Sequence, residues 1–180
     1  MKQFWIFGYG SLMWRPGFEY SIREPALIRG YHRRLCVYSH VHRGTPERPG
    51  LVLGLDRGGS CHGVAFMIEP HVWSAVLSYL RKREQVTKVY VERCTTIELL
   101  ASHEKVEAVT YVVDRKHQQY AGVLPLQSLL THVQQGHGLS GRCTDYVANT
   151  FQHLREMKIS DPTLETIVAK LQHQAATSRT

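Results

Sequence analysis

Phe4-Trp5-Ile6-Phe7 runs directly into Gly8-Tyr9-Gly10-Ser11-Leu12-Met13-Trp14-Arg15-Pro16, and this junction constrains the fold more than any other stretch of the chain. Four large apolar residues in a row read as a short buried strand. Glycines on either side of Tyr9 then break it. Glycine has no Cβ and tolerates φ > 0, so the turn can tighten and other groups can approach its backbone closely. A strand that ends this way can leave several N–H groups pointing together, an arrangement suited to an anion or a developing oxyanion. The same residues also suit a hairpin or a strand-to-helix turn that binds nothing.

Downstream, Glu24 to His42 reads as extended, with Leu35, Val37, Ser39 and Val41 on one face and Cys36, Tyr38, His40 and His42 on the other. His40 and His42 then sit side by side at a spacing for metal ligands, but no third ligand follows. Arg43 to Gly50 holds two prolines and two glycines and is a loop. Leu51 to Asp56 and Cys61 to Met67 flank Arg57-Gly58-Gly59-Ser60, a β-hairpin pattern. Glu69-Pro70 opens a helix whose Val72, Trp73, Val76, Leu77 and Leu80 recur at helical spacing.

At about 100° per residue, Glu84 falls only about 20° round from Leu77. Two readings stay open. Glu84 is a carboxylate at the end of a buried stripe, as an enclosed general base requires. Alternatively the helix end is frayed, with Arg83 and Glu84 both in water, and the pattern alone favours this one because Arg83 also projects to the edge of the stripe.

Lys88 to Leu100 and Lys105 to Asp114, joined by Ser102-His103-Glu104, read as further strands. Leu124 to Gln135 and Arg142 to Lys158 read as helices, the second with Tyr146, Val147, Thr150, Phe151 and Leu154 on one face. A last helix is capped by Ser160-Asp161-Pro162 and carries Leu164, Ile167, Val168 and Leu171 on its apolar side. From Gln172 the sequence turns polar. Strands first and helices clustered late make an α+β class. The expected organisation is one domain over 1–175, with 176–180 a frayed tail.

A net charge of +7, from 22 Lys and Arg against 15 Asp and Glu, favours anionic partners. The basic runs, Arg29 to Arg34 and Arg81 to Arg83, are too short for the contiguous face that nucleic acid requires. A small anionic substrate fits at least as well. No apolar run approaches the roughly 18 residues of a membrane span, and no signal-like stretch precedes the first strand, so a cytoplasmic location is expected. Cys36, Cys61, Cys94 and Cys143 are scattered without a Cys-x-x-Cys, which points to free thiols rather than disulfides or zinc.

Ser11 lacks the Gly-x-Ser-x-Gly frame of a nucleophile elbow. The loop also lacks the Gly-Lys-Ser/Thr ending of a phosphate loop. None of the four thiols has a neighbourhood that would activate it.

Phe7-Gly8-Tyr9-Gly10-Ser11-Leu12, followed by Trp14 and Pro16, resembles the opening signature of the ChaC family of γ-glutamylcyclotransferases. His42-Arg43-Gly44-Thr45-Pro46-Glu47-Arg48-Pro49-Gly50-Leu51-Val52-Leu53 resembles its second block, and Gly58-Gly59-Ser60-Cys61-His62-Gly63-Val64-Ala65 a third. Arg83-Glu84-Gln85 stands where that family carries its catalytic carboxylate.

The resemblance implies a small mixed β-barrel with packed helices, the γ-glutamylcyclotransferase-like fold, with the active cavity at the barrel mouth. It implies cleavage of glutathione to 5-oxoproline and cysteinylglycine, with Glu84 as general base. Ile6, Phe7, Gly8, Tyr9, Gly10, Ser11 and Leu12 would wrap the γ-glutamyl moiety, and Arg43 and Tyr146 would line the cavity. The reaction needs no metal or organic cofactor, because nucleophile and electrophile share one molecule.

The rival from another class is a non-enzymatic module that uses the same loop to hold an anion, linked to regulation of cation transport. The chain departs from the family in two places. Gln85 to Val89 precede Tyr90 without the glycine many relatives carry, and Cys143 replaces an amide in Gly141-Arg142-Cys143-Thr144-Asp145-Tyr146.

Overall fold

The N-terminal apolar run forms β1 (Phe4–Gly8) of a closed barrel, in a computed structural model that describes residues 3–177. The barrel's other strands are β2 (Ile22–Ser39), β3 (Gly50–Ile68), β4 (Tyr90–Leu99) and β5 (Lys105–Val113), in the order β1-β3-β2-β4-β5. Closing the sheet on itself leaves no exposed edge. β1 runs antiparallel to β3, from Phe4 opposite Ile68 to Gly8 opposite Val64, and parallel to β5, with Trp5 opposite Ala108. The parallel pairing of β1 with β5 makes the barrel mixed.

The chain divides into two compact units. The first takes the residues to Arg34 and Gly54–His117, which hold most of the barrel and α1 (Trp73–Glu84). Trp5, Ile6 and Phe7 are all buried, which is why β1 reads as unbroken apolar sequence rather than alternating. Ile28, Phe66, Ile97 and Tyr111 fill the same core, each large apolar side chain contributing about 1.5–3 kcal/mol by burial. α1 is held by Val76 and Leu80, both buried, and by Trp73, whose ring stacks on Phe4 at 4.7 Å.

The second unit takes Leu35–Leu53 and the residues from Gln118 onward. It holds α2 (Leu126–Gln135), a short hairpin of β6 (His137–Gly138) and β7 (Gly141–Arg142), α3 (Cys143–Glu156) and α4 (Pro162–Thr177). Leu129, Leu130 and Val133 of α2, Val147 and Leu154 of α3, and Leu164, Ile167 and Val168 of α4 are among its buried apolar residues. The cap of α4 forms as the sequence indicates, with Leu164 N–H donating to Asp161 Oδ1 at 3.1 Å.

Several expectations need correction. Arg57-Gly58-Gly59-Ser60 is not a hairpin turn: β3 is continuous through it. Gly58 and Gly59 do take the positive φ that a turn would demand, 100° and 68°, but spend it on a bend within one long strand. β2 ends at Ser39, so His40 and His42 are not neighbours on a strand face. His40 stacks on Tyr38 at 6.5 Å, and His42 Nδ1 lies 2.9 Å from Ser140 Oγ. Val41, expected on the apolar face with Leu35, is 43% exposed. The helix signalled by Glu69-Pro70 starts later, at Trp73, after a turn in which Val72 N–H donates to the Glu69 carbonyl. α4 continues to Thr177, so the polar segment from Gln172 is helical that far, and the rest of the supposed frayed tail, 178–180, lies outside the described residues.

Candidate active site

Glycine-free space and backbone pinning set the geometry of the loop that follows β1. Gly8 ends the strand, and a 3₁₀ turn over Ser11–Met13 follows, closed by Met13 N–H donating to the Gly10 carbonyl at 2.9 Å. Neither Gly8 nor Gly10 uses a positive φ, contrary to the expectation for a glycine turn; Gly10 stands at φ −131°. What Gly8 supplies is room: a Cβ there would sit 3.0 Å from that of Leu12. The backbone is pinned from the barrel on both sides of the break. Thr110 Oγ1 of β5 donates to the Phe7 carbonyl at 3.0 Å. Arg33 Nε of β2 donates to the Tyr9 carbonyl at 2.6 Å while its Nη2 donates to that of His62 at 2.7 Å.

Glu84 is the last residue of α1, and its side chain is only 18% exposed. Burial overrides the frayed-end reading: the apolar stripe carries the carboxylate inward, as its 20° offset from Leu77 allows. Burial raises its pKa above the ordinary glutamate value, and the Arg83 guanidinium, 3.3 Å away through Nε, opposes that rise. Arg83 Nη2 also donates to Ser11 Oγ at 3.0 Å, so one side chain touches both the loop and the carboxylate. A guanidinium cannot accept a proton, and the Ser11 hydroxyl is therefore held by a donor rather than paired with a base.

Two other carboxylates, Glu92 and Glu104, are placed otherwise. Arg81 clamps Glu92 of β4 through Nε at 2.8 Å and Nη2 at 2.7 Å, which holds its pKa below the usual range, and the Tyr111 hydroxyl adds a hydrogen bond at 3.0 Å. Glu104 is exposed between β4 and β5. Tyr111 was not legible as a site residue. It is a buried strand tyrosine whose pKa is pushed well up, first by burial, then by Glu92 and, more weakly, by Glu84.

Arg43 and Tyr146 lie in the second unit. Arg43 Nη1 donates to the carbonyls of Ser140 and Arg142, and its guanidinium lies over the Tyr146 ring at 5.4 Å. The Tyr146 hydroxyl accepts from Leu53 N–H at 3.1 Å, and burial pushes its pKa up to about 12. Cys143, the departure expected from the family pattern, bonds both backbone polar groups of one residue. Its Sγ accepts from Leu51 N–H at 3.4 Å and donates to the Leu51 carbonyl at 3.1 Å. Burial raises this thiol to about 11, so it is no nucleophile. Among the described residues, no cluster of His, Cys, Asp and Glu side chains could hold a metal ion, and no helix is long and apolar enough to cross a membrane.

Comparison with known proteins matches residues 4–174 to the family described as ChaC-like protein. The human protein named glutathione-specific γ-glutamylcyclotransferase 1 is 34% identical over 169 residues, covering 91% of this chain and 76% of the relative. The Escherichia coli (strain K12) protein named glutathione-specific γ-glutamylcyclotransferase is 29% identical over 167 residues, covering 93% and 72%. Among solved structures, a yeast γ-glutamyl cyclotransferase specific to glutathione superposes with a TM-score of 0.85 at 23% identity, covering 96% of this chain and 97% of that one. At that identity the superposition speaks for the fold, a mixed barrel with helices.

Proposed function

Because the chain belongs to the ChaC-like family, we propose that it is a γ-glutamylcyclotransferase acting on glutathione, with Glu84 as its general base. The substrate's α-amino nitrogen attacks its own side-chain carbonyl carbon and closes the five-membered lactam. The amide C–N bond to cysteine breaks. The α-ammonium gives up two protons, one before attack to free its lone pair and one as the lactam closes. Glu84 relays them in turn to the cysteine nitrogen, which leaves as an ammonium, so 5-oxoproline and cysteinylglycine form with protons balanced and no oxidant, metal or organic cofactor involved.

Most of the catalytic work is positional, since nucleophile and electrophile arrive in one molecule. The end of β1 and the loop after it, Ile6 to Leu12, wrap the γ-glutamyl unit, and backbone N–H groups at the start of the 3₁₀ turn face the substrate carboxylate or the oxyanion. The observation that carries this reading is the state of Glu84: a carboxylate enclosed at the end of α1, raised by burial, and joined through Arg83 to the loop at Ser11. A raised carboxylate is a stronger base when ionised, and it accepts and releases a proton nearer neutral pH.

The test is to incubate purified protein with glutathione and identify the products. Equal amounts of 5-oxoproline and cysteinylglycine are expected, and glutathione binding without product would return the chain to the anion-binding reading. A parallel comparison of glutathione, γ-glutamylcysteine and γ-glutamylalanine addresses selectivity. Glutathione should turn over fastest, because contacts to the cysteine and glycine portions help hold the reacting atoms. Equal rates on all three would keep the reaction class and remove the glutathione assignment.

A further inference from the structure

The guanidinium of Arg83 has more partners in the loop than the carboxylate beside it accounts for. Nη1 donates to the carbonyls of Arg15 at 2.7 Å and Pro16 at 3.1 Å, and to the Tyr79 hydroxyl at 2.9 Å. With Nη2 on Ser11 Oγ and Nε beside Glu84 Oε1, all three nitrogens are committed, and their partners fall on two bodies: the loop after β1 and the last turns of α1. A basic residue in the last turn of a helix ordinarily serves its own terminal carbonyls. Arg83 instead reaches 67 and 68 residues back along the chain. Its side chain is only 21% exposed, and its bonds to Pro16, Tyr79 and Ser11 are partly shielded from water, so they hold geometry more firmly.

We infer that Arg83 is a positioning residue that registers the loop of residues 11–16 against the Glu84 carboxylate. The inference rests on the function proposed above. The base is on a helix and the residues that receive the γ-glutamyl unit are on a loop, so their separation depends on whatever ties the two together. Leu12 and Met13 anchor the first half of the loop in the core, whereas Arg15 and Gly17 are exposed, and this outer half opens readily unless its carbonyls are held. The planar fork of arginine spreads its donors over three nitrogens at fixed directions and so can reach acceptors on both bodies, whereas all of lysine's donors radiate from one nitrogen. The charged group beside Glu84 is Arg83, and Glu84 in turn acts weakly at a distance on Tyr111 of β5.

Arg83→Lys and Arg83→Gln separate geometry from charge. Both should lower kcat more than they raise KM, by about 10-fold and about 10²-fold respectively, as a misplacement of about 1 Å can. The acid limb of the pH–rate profile should stay in place in Arg83→Lys. It should move to higher pH in Arg83→Gln, where the cation that favours ionised Glu84 is gone. Without substrate, backbone amides of residues 11–17 should exchange hydrogen about 10-fold faster in both variants, with an unchanged thermal midpoint in Arg83→Lys.

Wild-type kcat and loop exchange in Arg83→Lys would overturn the inference. Should both variants fail to fold, Ser11→Ala and Tyr79→Phe each remove one acceptor. Faster loop exchange in either supports the link, and unchanged exchange in both overturns it. Because exchange needs no turnover, a wild type that releases no 5-oxoproline would sink the proposed function and leave the link to be judged separately.

Discussion

Glu84 and Glu92 lie eight positions apart in the same unit, are 18% and 25% exposed, and are driven in opposite directions. Their surface exposures are close, but Glu84 lies deeper and Glu92 has more hydrogen bonds. Glu92 receives both nitrogens of a bidentate arginine fork and a tyrosine hydroxyl, three donors that favour its ionised form. Glu84 has an arginine too, but Arg83 offers it one nitrogen at 3.3 Å and gives the others to the loop. Burial therefore wins at Glu84 and loses at Glu92. A carboxylate stays available for proton transfer when the cation beside it is occupied elsewhere.

The largest effect expected is from Glu84→Gln, which keeps the shape and removes the proton acceptor: 5-oxoproline release should fall about 10²–10⁴-fold. Near-normal turnover in the folded variant would dissolve the comparison. Gly8→Val comes next, at about 10²-fold, because its side chain must displace Leu12 and the turn behind it. A larger loss from Ser11→Ala than from Gly8→Val would point back to the hydroxyl as the working group.

Glu92→Gln should change the rate by no more than about threefold, yet it should show in stability. A carboxylate whose folded pKa is depressed stabilises above its unfolded pKa of about 4.3 and loses that contribution as pH falls. The Glu92→Gln midpoint should thus lie below wild type near neutral pH, with the gap closing in acid. Glu84 has the reverse sign: its folded pKa is raised, so wild type loses stability as pH rises through it. The Glu84→Gln midpoint should sit at or above wild type near neutral pH and converge with it in acid. Both follow from thermal unfolding across pH.

The strand-and-glycine junction at residues 4–11 was legible because apolar runs and chain breaks are local properties, and the cap at Asp161 for the same reason. The inward position of Glu84 was half legible. Helical spacing put it on the Leu77 side, but spacing cannot say whether a helix end is covered. Gly58-Gly59 misled because positive φ marks a bend in a long strand as well as a hairpin turn. Arg83, Tyr111 and Arg33 were invisible as site residues, since their partners lie 72, 19 and 24 positions away and no periodicity records such contacts.

The most direct test is the pH dependence of kcat/KM for 5-oxoproline release, measured on wild type and on Glu92→Gln. That ratio reports the ionisation of the free enzyme's essential base. The acid limb should fall above the ordinary glutamate value of about 4.3 and stay where it is when Glu92 is neutralised. A limb at or below that value, or one that shifts with Glu92→Gln, would contradict the assignment of the base to Glu84.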